Sequence, residues 1–181
     1  MPAEFLPPLL AERYIGGVRE LPEIIGEIKA EVERRHQEHD ADAGPIYLVI
    51  YNLQRFRDLR KAEDDFGFGM DDKPANPAQQ FSEILRDGST VGIHTIAWCD
   101  SLNNVQRTLD RQSLREFEMR VLFQMSAADS SILIDTPAAS KLGLYRALFY
   151  HEETGQIEKF RPYSLPSESW LAEAARALSQ K

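Results

Sequence analysis

The chain is poor in three things, and each narrows what it is. It has one cysteine, Cys99, so no internal disulfide forms and a reducing compartment is expected. No apolar run approaches the roughly 20 residues of a membrane-spanning helix. The opening MPAEFLPPLLAER has no basic region ahead of its apolar residues, so a cytoplasmic location is the expectation. Bases are outnumbered, 21 Lys and Arg against 29 Asp and Glu, for a formal charge of -8. Contact with nucleic acid is therefore disfavoured for the chain as a whole and left to a local patch.

What is present is enough apolar material for one buried core: 181 residues, 43% hydrophobic. Residues 1–20, with three prolines and the Gly16-Gly17 pair, read as an irregular lead-in that needs a partner surface to become ordered, and residues 21–181 as a single domain. Leu21, Ile24, Ile25, Ile28 and Val32 recur at helical spacing, and Pro22 suits a first turn, so a helix is expected from Leu21 to about His36. Its charged residues Glu27, Glu31, Glu33, Arg34 and Arg35 read as a solvated face.

The organising stretch is Ile46 to Leu59, IYLVIYNLQRFRDL. Its apolar run predicts a central strand buried on both faces, as in a parallel sheet covered by helices. Glu63 to Pro77 lacks periodicity and reads as a loop. A helix is expected from about Ala78 to Asp87 with Gly88 as its left-handed stop, then a buried strand from Gly92 to Cys99. A polar helix follows from Ser101 to about Arg111, with Ser113 and Glu116 at capping-box spacing. Met119 to Met125 is a third strand, and Ser126 to Leu142 are short helical pieces around Pro137. Leu144 to Tyr150 and Gln156 to Arg161 flank EETG as a hairpin, and a helix runs from Ser167. The order implies an α/β fold with a mostly parallel sheet, flanking helices, and a C-terminal β-hairpin and helix.

Several chemical readings are weak on spacing alone. His36, His39 and Asp40 fit a fraying helix end better than a metal site. Glu63, Asp64, Asp65, Asp71 and Asp72 lack the spacing of a calcium loop. His94 is expected inside a buried strand, its ring satisfying a backbone group. With Cys99 it makes a poor catalytic pair, since the two point to opposite faces. No metal site is expected. Tyr51 and Trp98, at strand ends where open α/β sheets bind ligands, suit stacking on a base or filling vacant space equally well.

Taken together, EVERR (Glu31 to Arg35), Ile46 to Asn52, FSEILRDGSTVGIHTIA (Phe81 to Ala97), RVLF (Arg120 to Phe123), Asp129-Ser130 and Leu142 to Gly155 resemble the second half of the FtsK/SpoIIIE (FtsK/HerA-type) DNA-translocase motor domain. The resemblance covers roughly Leu21 to Tyr163, and Gly-Ile-His after a helix is its most specific piece. It implies a RecA-like P-loop NTPase core. The departures are equally specific. No G-x-x-x-x-G-K-[ST] occurs in the chain, so the phosphate cradle is missing from it. Tyr51 and Asn52 stand where the family carries the Walker B acids, and Trp98 and Cys99 where it carries a sensor of the γ-phosphate. Neither Tyr51 nor Asn52 is charged at neutral pH, so neither supplies what a magnesium shell or an attacking water needs. Arg120 sits where the family has an arginine near the subunit boundary; a strand-end surface arginine is the plainer reading, an interface role the alternative.

The resemblance thus implies a degenerate motor module or fragment that does not hydrolyse ATP alone, binds ATP and magnesium only if an upstream phosphate loop exists, and works through self-association or other motor subunits in DNA translocation or secretion. The alternative is a self-standing α/β protein-interaction domain with no nucleotide role. A small hydrolase ranks last, lacking a nucleophile elbow. The family architecture also implies a missing strand between Ile93–Cys99 and Arg120–Met125. Those two strands are expected to pair directly or to receive between them a segment of this chain, with Pro2 to Tyr14 the local candidate, or of a neighbouring molecule.

Overall fold

The computed structural model describes residues 18–40, 43–61 and 76–178. The expected loop from Glu63 lies almost wholly outside them, as do residues 1–17 of the lead-in. A short 3-10 turn, Val18–Glu20, runs directly into helix α1, Leu21–Glu38. The helix buries Leu21, Ile24, Ile25 and Val32, as its periodicity requires, and ends on His39 in the left-handed conformation.

Strands β1, Ile46–Ile50, and β2, Ile93–Ala97, pair in parallel with Ile46 opposite Ile93 and Ile50 opposite Ala97. Between them helix α2, Pro77–Asp87, starts on the Asn76 cap and packs on α1. One face of the pair is closed by α1 and α2 through a cluster holding Ile25, Val32, Leu48, Ile50, Phe81, Ile84 and Ile93. The other face is open: Tyr47, Val49 and Ile96 are 59%, 65% and 55% exposed. Burial of β1 and β2 on both faces is thus corrected. Each strand alternates, and among the described residues nothing covers the second face.

Helices α3, Leu102–Thr108, and α4, Arg111–Arg115, follow β2. The expected capping role of Ser113 is corrected. Asp110 caps α4 by accepting from the Ser113 amide at 2.7 Å, and Ser113 is buried inside the helix.

Strand β3, Met119–Leu122, was expected to extend the parallel sheet. It instead pairs antiparallel with β4, Ala147–His151, which pairs antiparallel with β5, Gln156–Phe160. The mostly parallel sheet is therefore corrected to a parallel pair and a separate antiparallel three-stranded sheet. Direct pairing of β2 with β3 does not occur, and no described segment lies in register between them. The physical reason is local: the EETG turn, with Gly155 at φ 63°, folds β5 onto β4, and β4 takes the ladder that β3 offers.

The expected single core is accordingly split. A second cluster, of Leu122, Ile134, Leu142, Leu148 and Tyr150, lies under the antiparallel sheet, where helix α5, Ala127–Ile134, and the turn Pro137–Lys141 close it. Helix α6, Glu168–Leu178, ends the described chain, with Trp170 exposed. No helix among the described residues is long and apolar enough to cross a membrane.

Candidate functional site: the open strand face and its C-terminal edge

At the C-terminal end of the parallel pair, the Trp98 amide donates to the Ile50 carbonyl at 2.9 Å, and the Leu53 amide donates to the Trp98 carbonyl at 2.9 Å. These bonds carry the ladder one step past β1 and β2 and set Tyr51 beside Trp98. Their rings stack, centroids 5.0 Å apart and planes 24° apart, with both about half exposed. Asn52 then takes a left-handed conformation, φ 62°, and turns the chain into Leu53. Its side-chain oxygen accepts from Gln54 Nε2 at 3.4 Å.

Cys99 is half-buried beside the first cluster, and burial pushes its thiol upward in pKa. A thiol held protonated is a poor nucleophile and a poor ligand. Asp100 is the acid that the sequence reading passed over at this edge. Its carboxylate accepts from Asn104 Nδ2 at 2.8 Å and Ser101 Oγ at 3.0 Å, and the Asn104 bond holds it below the usual range. Its place directly after Trp98-Cys99 was the available signal. Among the described residues no group of three His, Cys, Asp or Glu side chains is placed to hold a metal. Tyr51, Asn52, Trp98 and Cys99 thus put no carboxylate at the strand ends, and the acid of this edge, Asp100, is engaged by Asn104 and Ser101.

His94 departs from expectation. It is exposed on the open face, where its ring stacks on Tyr47 with centroids 5.4 Å apart. The open face is thus three cross-strand rows, Tyr47 with His94, Val49 with Ile96, and Tyr51 with Trp98. It is lined by aromatic and aliphatic groups and carries no carboxylate or ammonium.

At the other end of the strands the motif pieces EVERR and Gly-Ile-His meet. Arg35, 5% exposed, was expected on a solvated face; instead it donates to the Val91 carbonyl and the Gly44 carbonyl at 2.9 Å each and to Glu31 Oε1 at 2.7 Å. It ties the end of α1 to the chain entering both strands. Glu31 also takes two bonds from Arg34 at 2.8 Å, and these arginines lower its pKa to about 2, Arg34 foremost. Gly92, at φ 76°, makes the left-handed turn expected of Gly88. Gly88 is right-handed, and it is needed for another reason: a Cβ there would lie 2.9 Å from the Ile93 carbonyl oxygen.

His36 and His39 lie exposed at the end of α1, and Asp40 pairs with Arg34 at 3.1 Å. Arg120 is no simple surface arginine. It donates to the carbonyls of Phe117 (3.0 Å), Leu133 (2.6 Å) and Leu114 (3.1 Å), bonds the Glu152 carboxylate, and lies over the Tyr150 ring. Ser130, fully buried, donates to the Thr136 carbonyl at 2.6 Å and accepts from the Ala139 amide at 3.1 Å.

No protein-family model matches the chain, and no curated protein matches it in sequence. Among solved structures it is similar to the cytoplasmic domain of the Thermomonospora curvata Type VII secretion ATPase EccC, with 16% identity, TM-score 0.61, and coverage of 98% of this chain. It spans 22% of that chain. The genome packaging NTPase B204 of Sulfolobus turreted icosahedral virus 2 also matches, in complex with ATP-gammaS (14% identity, TM-score 0.45, 70% of this chain and 56% of that one) and with sulfate (10%, 0.47, 84% and 74%). The likeness to EccC establishes an α/β fold shared with part of a secretion ATPase.

Proposed function

We propose that this chain is a catalytically degenerate FtsK/SpoIIIE-type module, a piece of a larger ATP-driven motor for translocation or secretion, which acts through its interfaces. The observation that carries the reading is the parallel β1–β2 pair ending in Tyr51-Asn52 and Trp98-Cys99. The parallel pair suits a motor core, while Tyr51, Asn52, Trp98 and Cys99 at its C-terminal end bring no carboxylate for a magnesium shell or for activating water. The second edge of β2 and the outer edge of β3, unpaired among the described residues, are the places for an incoming strand, since unpaired edges are surfaces ready for pairing. ATP and magnesium enter only with a phosphate loop on such a segment. The partners are then other motor subunits or domains, or copies of this chain; DNA is disfavoured by the excess of acid.

The test is phosphate release by the purified chain with magnesium and ATP. The expected rate equals that of buffer, because the elements that bind and stabilise the transferred phosphoryl group are not in the chain. Turnover that disappears on Tyr51→Phe would overturn the reading.

A further inference from the structure

The open face of β1 and β2 has an internal symmetry. Its outer rows, Tyr47 with His94 and Tyr51 with Trp98, are stacked rings, and its middle row, Val49 with Ile96, is aliphatic. All six side chains are exposed, and none is a carboxylate or an ammonium. Aromatic side chains present about 150–250 Å² each, so with about half of every side chain open the face offers roughly 600 Å² to a partner. A contiguous apolar patch of that size marks an interaction site.

We propose that the open face of β1 and β2 is the interface of a homodimer, closed by the same face of a second copy. Three observations choose that occupant. The pattern of rings, aliphatic row and rings reads the same from either end. A twofold axis through the Val49–Ile96 row therefore sets aliphatic on aliphatic and rings on rings, and a twofold contact requires such a self-complementary patch. Two sheets meeting in this way pack about 10 Å apart with their inner side chains interdigitated. Next, roughly 600 Å² from each copy makes about 1,200 Å² in all, the lower end of what a specific dimer needs. Last, each copy has a formal charge of -8, so two copies repel, and a face without acids is where they meet at least cost. The outer face of the antiparallel sheet also exposes Met119, Val121 and Phe123, but an acid stands in its middle row, where Val121 is in register with Phe149 and Glu158. The dimer does not depend on the motor reading: phosphate release decides that one, and self-association this one.

The test is sedimentation velocity of the full chain over a range of concentrations. An interface of this size should give a monomer–dimer equilibrium with a Kd on the order of 10 µM. Salt should tighten it, because the contact is apolar and the copies are alike in charge; loosening by salt would assign the contact to ion pairs and overturn the proposal. Val49→Lys, which puts ammonium groups at the centre of the interface, should raise Kd by about tenfold or more. Val121→Lys, on the exposed face of the other sheet, should leave Kd unchanged. A chain that stays monomeric well above the expected Kd overturns the proposal, as does a dimer that Val49→Lys leaves intact or that Val121→Lys breaks as readily. A second measurement serves if circular dichroism shows that Val49→Lys fails to fold. In a Trp170→Phe background Trp98 is the sole tryptophan, and its quenching by acrylamide should fall about twofold from monomer to dimer, as the ring gains its cover. Quenching that stays constant across that transition overturns the proposal.

Discussion

Arg35 and Glu31 are bonded at 2.7 Å on one turn of α1, and that pair holds the helix against the entrances of both parallel strands. The most family-like pieces of the sequence, EVERR and Gly-Ile-His, are therefore architectural. They fix where β1 and β2 begin, while Tyr51 and Trp98 stack at the opposite ends of the same two strands.

Removing Arg35 should be costly. Arg35→Ala leaves the Val91 and Gly44 carbonyls without their donor and Glu31 without one of its partners. We expect a loss of about 3 kcal/mol in urea unfolding, the scale for charged hydrogen bonds removed from a buried site. Arg35→Lys should recover little, since one ammonium cannot reproduce the planar fork that spans two carbonyls.

Glu31 should make stability sensitive to acid. Its folded-state pKa of about 2 lies below its ordinary 4.5, with Arg34 and then Arg35 as the cause. A lowered pKa stabilises the fold above the unfolded value, and that stabilisation is lost as pH falls through the folded one. The stability of the native chain should thus decline across roughly pH 4.5 to 2 more steeply than that of Glu31→Gln. Parallel unfolding curves for the two across that window would dismiss the coupling.

Legibility in the sequence followed how local the deciding physics was. The periodicity of α1 and the EETG hairpin were readable because each rests on spacing or turn chemistry within a few residues, while the parallel β1–β2 pair followed from the order strand, helix, strand. The open face was not: IYLVI reads the same whether one face or both are covered, and only the in-register partners His94, Ile96 and Trp98 reveal the rows. Charged Arg35 and Arg120 read as solvated by default, since nothing in the sequence shows which backbone carbonyls turn towards them, from Phe117 three residues before Arg120 to Val91 far along the chain from Arg35. Gly88 and Gly92 bracket one turn, and nothing within GSTVG says which takes the left-handed conformation.

Gly88→Ala should destabilise without backbone strain. The residue is right-handed, so alanine suits its dihedrals, yet the new methyl would press on the Ile93 carbonyl at 2.9 Å, which is fixed backbone. A loss of about 1–3 kcal/mol is expected for overpacking at such a contact. An alanine variant as stable as the native chain in thermal unfolding would contradict the packing of α2 on β2.

Restoring the acids should not restore chemistry. Tyr51→Asp with Asn52→Glu breaks the ring stack and places two carboxylates side by side, but the sequence has no G-x-x-x-x-G-K-[ST] to hold a nucleotide near them. Calorimetry with magnesium and ATP should show no binding heat. Saturable, magnesium-dependent binding by the double variant would place a nucleotide site within these residues.

Arg120 offers a test between a structural and a trans-acting arginine. Its guanidinium takes the carbonyls of Leu114 and Phe117, residues associated with the first cluster, and that of Leu133 beside the second, while Glu152 binds it from the start of the hairpin turn. It therefore joins the two cores, and its donors are committed within the chain. Arg120→Ala leaves three carbonyls without this donor and should lower stability by about 2–3 kcal/mol, the scale for charged hydrogen bonds lost from a mostly buried arginine, since Glu152 is exposed enough to stay solvated. Glu152→Gln, which keeps an acceptor, should cost much less. If the two cores depend on this link, Arg120→Ala should also separate their unfolding, so that near-ultraviolet dichroism and tryptophan emission no longer change together. An arginine reserved for a neighbouring subunit would behave otherwise: its alanine variant would unfold at the native denaturant concentration, with a single transition.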